Sequence, residues 1–254
     1  MPVRRKEIRF FDRHFEQGTA WYEAFFCTAD EAGAYQAIGE ISPQYFYCDD
    51  CPDRISATLP GVRLLVMLRH PVDRAYSTYG FTVQRANYRG SFAEFVESRP
   101  SVLERGFYSR YLHRYLQHFG RERILALMFE GAVADLETTR GKLAEFLELD
   151  ASRFPPDAGS TRVNRSSAPS LGAVSGFAVK AGRRMRRWGL EPAVDVARRL
   201  GIQRVLSKGK SLPPLDAELR SELATSYGDE FDELEGLLGI DLGRWREVPA
   251  SRPV

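Results

Sequence analysis

The stretch Leu65-Val-Met-Leu-Arg-His-Pro-Val-Asp-Arg-Ala-Tyr-Ser77 sets two arginines and a serine where they could grip a phosphate. A guanidinium offers a planar fork of donors and a hydroxyl adds one more; aimed at one point, they form an oxyanion clamp. Val62–Leu68 reads as a short buried strand behind a Pro60-Gly61 turn. That strand delivers Arg69 to the carboxyl edge of a sheet, where open α/β sheets bind their ligands. Pro71 suits a first helical turn, and helix is expected from Val72 to about Gln84. Arg74 and Ser77 then share one helical face, and the free N–H groups at the helix start favour an anion. The competing reading is a surface ion pair between Arg69 or Arg74 and Asp73.

These groups need a scaffold, and the rest of the sequence outlines one. Ile124–Phe129 reads as a second buried strand, followed by a helix over Leu136–Leu147. Between the two strands, Tyr108, Tyr111, Leu112, Tyr115, Leu116 and Phe119 recur at helical spacing. Strands alternating with helices predict an α/β fold, a parallel sheet flanked by helices. Ile8–Phe11 and Ile38–Ser42 are candidate shorter strands. Phe154–Ser170, rich in Pro, Ser, Asp and Asn, reads as a loop, and Asp216–Leu238 as a helix. The expected organisation is one domain over residues 1–254 with helical additions.

Composition bounds the function classes. In 254 residues, 43% are hydrophobic and 28% charged, which excludes a disordered or collagen-like chain. The longest apolar runs, Leu64–Leu68 and Ile124–Phe129, fall far short of the ~20 residues of a membrane-spanning helix. The N-terminus lacks the apolar stretch of a signal peptide. Three cysteines give no disulfide framework and suit a reducing compartment, so a cytoplasmic location is expected. The net charge of +2 conceals an asymmetry. Residues 180–210 carry ten Lys/Arg against two Asp/Glu, whereas the remainder carries 26 basic and 32 acidic residues. This basic segment reads as a solvated helical face, a polyanion contact or a peripheral membrane contact. No nucleic-acid-binding motif accompanies the charge, so no nucleic-acid partner is expected.

Arg69-x-Pro71-x-x-Arg74-x-x-Ser77 after a buried strand resembles the 3′-phosphate motif of sulfotransferases that use PAPS, 3′-phosphoadenylyl sulfate. The resemblance extends to the heparan-sulfate-type enzymes and their bacterial kin. Lys6-Glu7-Ile8-Arg9-Phe10-Phe11-Asp12 is similar to the family's K-E-x-H-F-F-D segment. Gly39-Glu40-Ile41-Ser42-Pro43-Gln44-Tyr45 is similar to its E-K-S-P-x-Y segment. Gly106-Phe107-Tyr108 with Leu112, and Met128-Phe129-Glu130 with Lys142–Leu149, resemble two further segments. Ser207-Lys208-Gly209-Lys210 resembles a late K-G-R cofactor loop. The likeness runs from Lys6 to about Trp245, interrupted by a basic helical insertion at about 171–205.

The resemblance implies a P-loop kinase-like sulfotransferase fold and transfer of a sulfuryl group from PAPS to a hydroxyl or amine of a carbohydrate-type acceptor, leaving PAP. It implies Glu7 as general base and Asp12 as its acidic support. Arg69 and Ser77 become ligands of the 3′-phosphate, and Lys208, Gly209 and Lys210 a loop over the nucleotide. Arg9 stands where the family has His, and Ile41 where it has Lys; both positions face the acceptor or the transferred group, so Arg9 becomes an acceptor-binding candidate. No metal is implied.

The family holds the 5′-phosphosulfate on a strand, a Gly/Lys/Ser/Thr loop and a helix that precede the K-E-x-H-F-F segment. Five residues precede Lys6 here, so this first strand–loop–helix is expected to be missing from the 254 residues. Gly209-Lys210-Ser211 is no substitute, because Arg204 stands where the motif needs its first glycine. The alternative reading is therefore a catalytically inactive, truncated member acting as a binding or interaction module. Cys48-Asp49-Asp50-Cys51 has CxxC spacing but lacks a second ligand pair for zinc, and is expected instead to start the helix before Val62.

Overall fold

The computed structural model describes residues 7–86, 88–154, 212 and 214–247. The described residues contain two parallel strands: β1, Leu64–Leu68, and β2, Ile124–Met128. They pair in continuous register from Leu64↔Ile124 to Leu68↔Met128. The helices in chain order are α1 Thr19–Glu23, α2 Ala29–Ala32, α3 Cys51–Thr58, α4 Pro71–Ala86, α5 Phe92–Glu97, α6 Ser101–Glu104, α7 Ser109–His118, α8 Phe129–Ala134 and α9 Leu136–Leu147. After the undescribed stretch come α10 Ala217–Thr225, α11 Gly228–Leu238 and α12 Gly243–Arg246. This is the expected α/β architecture, a parallel sheet with flanking helices.

The described residues fall into two compact units. The first holds residues up to Arg69, then Phe107 onward through α9, and 233–240. Its core is aromatic. Ile8, Phe10, Phe11, Tyr22, Tyr45, Tyr115 and Phe119 are buried together with Cys51, Ile55 and Ile124. Phe10 stacks on Tyr22 with centroids 4.7 Å apart, and Phe11 meets Tyr45 edge-on at 5.5 Å. Such offset and edge contacts are the favourable geometries for ring quadrupoles. The α7 helix forms because Tyr111, Leu112 and Tyr115 recur at helical spacing and bury one stripe.

The second unit holds His70–Gly106, residues up to 232 and residues from 241. Here α4 buries Val72, Ala75 and Tyr76, and α5 contributes Phe92, Phe95 and Val96. Ser91 caps α5 in a reciprocal box with Glu94, which satisfies donors the first turn leaves free. Close approach makes Gly106 necessary: a Cβ there would lie 2.7 Å from the Pro71 side chain and 2.8 Å from the Tyr227 ring.

Several expectations need correction. Ile8–Phe11 forms no strand. Arg9 adopts a left-handed backbone (φ 62°, ψ 33°), and Phe10–His14 closes into a π-helical turn. Ile38–Ser42 has no regular structure, and Ile38 and Ile41 are exposed. The helix expected over Asp216–Leu238 is two helices, broken at Ser226-Tyr227. The strand expected to be buried is buried on one side only: Leu65 and Met67 of β1 are 48% and 54% exposed among the described residues, while Leu68 is buried. Its alternation is that of a half-covered strand. The insertion at about 171–205, the basic segment 180–210 and the loop residues Lys208, Gly209 and Lys210 lie outside the described residues.

Candidate functional site

Within the first unit, the Glu7–Asp12 segment is held by its own buried residues. Ile8, Phe10 and Phe11 are sunk in the aromatic core, which leaves Glu7, Arg9 and Asp12 to point elsewhere. The left-handed Arg9 makes this possible, since it breaks the alternation and turns the chain into the π-helical turn that carries Asp12. A non-glycine residue in that region costs free energy, and such turns recur at functional sites. Arg9 Nε donates to both Asp12 carboxylate oxygens, at 3.0 and 2.8 Å, and a terminal nitrogen adds a further bond. This hydrogen bonding, with the negative charges of Asp12 and Glu7, raises the Arg9 pKa against an opposing effect of burial. Arg9 and Asp12 thus form an ion pair across one turn, and the charge of Glu7, two residues before Arg9, acts on the same guanidinium.

The turn is tied down by Tyr45, from the 3-10 helix Pro43–Tyr47. Its hydroxyl accepts from the Phe10 amide at 2.8 Å and the Phe11 amide at 3.4 Å. Tyr115 of α7 donates to the Tyr45 carbonyl at 2.9 Å, and Arg54 of α3 to the Phe11 carbonyl at 2.8 Å. Burial pushes the Tyr45 and Tyr115 phenols well above the usual tyrosine range, so both stay protonated donors.

Also in the first unit, β1 ends at Leu68 and hands the chain to Arg69. The Tyr108 hydroxyl donates to the Arg69 carbonyl at 2.8 Å, which pins the backbone there. The Arg69 guanidinium lies over the Phe129 ring at 5.0 Å. Phe129 directly follows Met128, the register partner of Leu68. Among the described residues no carboxylate pairs with Arg69, so its fork of donors is open to an anionic ligand.

In the second unit, Ser77 sits half-buried on α4. Arg74, on the same helix, donates from one terminal nitrogen to the Val102 carbonyl, while its Nε is buried without a partner. The ion-pair reading is overturned. Asp73 is held by Arg220 of α10, at 3.0 and 3.2 Å, and not by Arg69 or Arg74. That partner lies 147 residues along the chain, beyond the reach of local spacing arguments. His70 is buried, with Nε2 3.1 Å from the Trp245 carbonyl, as befits a structural turn residue.

The CxxC pair starts α3 as expected. Cys51 is buried at its first turn, and burial, then contact with the Cys48 thiol, pushes its thiol up. An open cleft of about 430 Å³ lies at the amino ends of the strands, lined by Arg63, Arg123, Glu145 and Glu148 among others. Arg63 is paired to Glu148 and Arg123 donates to the Pro60 carbonyl, and the cleft lies away from the strand ends that carry Arg69 and Phe129.

The sequence profile of the sulfotransferase family matches residues 6–153, more than half of the chain. The chain belongs to the sulfotransferase family. Human heparan sulfate glucosamine 3-O-sulfotransferase 3B1 is 29% identical over 152 residues, covering 56% of this chain and 38% of that protein. Human heparan sulfate glucosamine 3-O-sulfotransferase 6 is 31% identical over 151 residues, 56% of this chain and 43% of its own length. The mouse bifunctional heparan sulfate N-deacetylase/N-sulfotransferase 3 aligns over 96% of this chain at 26% identity, within 27% of its own length. The chain therefore matches less than half the length of each of these relatives. The crystal structure of a sulfotransferase from Alicyclobacillus acidocaldarius superposes with a TM-score of 0.63, covering 97% of this chain and 87% of that one at 22% identity. The fold is thus a sulfotransferase fold.

Glu7, Arg9, Asp12, Arg69 and Ser77 all fall inside the residues that match the family. Phe129 and the Glu40–Tyr45 pair were not singled out by sequence reasoning as site residues. Both sit in family-like segments, yet only the folded chain sets Phe129 beside Arg69 and Tyr45 beside the Glu7–Asp12 turn.

Proposed function

We propose that this sulfotransferase-family chain transfers a sulfuryl group from PAPS to a hydroxyl or amine of a carbohydrate-type acceptor. The acceptor's O–H or N–H proton passes to the Glu7 carboxylate as the acceptor atom bonds to sulfur. The bond from sulfur to the bridging phosphate oxygen breaks, and PAP leaves. Such in-line transfers depend on positioning and on charge stabilisation. Glu7 is the base, Asp12 fixes Arg9, and Arg9 meets the acceptor. Arg69 and Ser77 take the 3′-phosphate, and Lys208, Gly209 and Lys210 close over the nucleotide.

The observation that carries this reading is the Arg69 guanidinium, without a carboxylate partner among the described residues and stacked at the carboxyl end of the sheet. The heparan sulfate names of the relatives support the carbohydrate acceptor. Calorimetric titration of PAP tests the assignment. Arg69→Ala is expected to weaken binding by about 1.5–3 kcal/mol, the range for a hydrogen bond to a charged group. Unchanged affinity removes Arg69 from the site.

A further inference from the structure

Glu40 is a buried carboxylate for which the reading above has no use. Both of its oxygens are shielded from solvent. They face the hydroxyls of Tyr22, Tyr45 and Ser42 and the amide of Ile8. None of these contacts is aligned as a full hydrogen bond, so the carboxylate is poorly compensated. A buried acid with incomplete partners is costly to keep, and its retention calls for a reason.

The reason lies in Tyr45, five residues further on. The Tyr45 oxygen already accepts the Phe10 and Phe11 amides, which occupies its lone pairs. Its proton is left to face Glu40. Replace the carboxylate by an apolar group and the phenol keeps only the Ser42 hydroxyl to take that proton, an acceptor without charge. The hydroxyl could then rotate or recruit water, and the two amides it holds would loosen. Those amides belong to the residues directly after the left-handed Arg9. The Ile8 amide, also facing Glu40, directly precedes it. The carboxylate therefore addresses both flanks of a strained turn.

We infer that Glu40 is a positioning residue which, through the Tyr45 hydroxyl and the Ile8 amide, holds the Arg9 turn and so sets the direction of Glu7 and Asp12. It acts on the backbone that presents the reacting groups and touches no substrate itself. The inference rests on the sulfuryl-transfer reading only for its catalytic consequence. The charged and titratable groups facing Glu40 are Asp12 from the turn, Tyr22 from α1 and Tyr45 from its own following segment.

Hydrogen exchange on the full chain, without ligand, tests the positioning directly. In Glu40→Ala and in Tyr45→Phe the Phe10 and Phe11 amides are expected to exchange about 5–10-fold faster, the worth of one hydrogen bond. Glu40→Gln, whose amide oxygen can still accept, is expected to fall between these and the unsubstituted chain. Unchanged exchange in Glu40→Ala and Tyr45→Phe overturns the inference. Should Glu40→Ala fail to fold, Glu40→Gln and Tyr45→Phe decide by the same readout. Turnover supplies the second arm: Glu40→Ala is expected to lower kcat about 10-fold or more, a misplacement effect, with PAP affinity unchanged. A wild-type kcat in Glu40→Ala also overturns it. Full turnover in Glu7→Gln would sink the assigned base instead, while leaving the exchange result standing.

Discussion

The Arg69 guanidinium lies 5.0 Å from the centroid of the Phe129 ring, and the two residues leave paired strands at the same level. The ring face attracts the cation and restricts its rotation. Phe129 therefore preorganises a group whose four-torsion side chain would otherwise lose freedom on gripping a phosphate. Phe129→Leu is expected to weaken PAP binding about 2–5-fold, as for an exposed cation–π contact. In the Arg69→Ala background the same substitution should have no effect, and a calorimetric double-mutant cycle measures that coupling. An equal loss in both backgrounds would mean that Phe129 does not act through Arg69.

Burial raises the Glu40 pKa above the ordinary carboxylate value, outweighing the opposing pull of the Tyr45 and Ser42 hydroxyls and the Ile8 amide that face it. Between the unfolded and the folded pKa, the folded chain thus holds a proton that the unfolded chain has already released. Stability from this group is fully present below the unfolded pKa and is lost as pH rises through the folded one. Glu40→Gln removes that dependence. The Tm of the variant relative to wild type should climb with pH across this window and then level off. A difference that is flat with pH, or that falls, contradicts the assignment.

Arg220 is 7% exposed and its guanidinium is answered by Asp73 on the first turn of α4. Asp73→Ala strands a buried cation. Urea unfolding should record a loss of about 1–3 kcal/mol, the cost of an unsatisfied buried group. The larger penalties of fully enclosed pairs do not apply, because the Asp73 side chain is 26% exposed. A loss below about 0.5 kcal/mol would place this pair with ordinary surface ion pairs.

The parts of the molecule legible in the sequence are those where neighbouring residues decide the outcome. β2 and α9 stand where the apolar run Ile124–Phe129 and the Leu143/Phe146/Leu147 stripe put them. Pro71 starts α4 as its fixed backbone angle suggests. The failures have a common physical cause in non-local partners. Ile8, Arg9 and Phe10 alternate like a strand, but the amides of Phe10 and Phe11 are taken by a tyrosine 35 and 34 residues away. Nor does helical spacing show that one terminal nitrogen of Arg74 reaches a carbonyl 28 residues on. The Arg220 partner of Asp73 and the ring beneath Arg69 are equally invisible to spacing.

The most direct test of sulfuryl transfer uses the full chain, PAPS carrying radiolabelled sulfate, and a glucosamine-containing oligosaccharide. The account predicts labelled oligosaccharide and equimolar PAP, with Glu7→Gln slowing transfer by about 10²–10⁴-fold, the usual share of a general base. Tight PAP binding with no labelled product from the wild-type chain would contradict it and leave a nucleotide-binding module in its place.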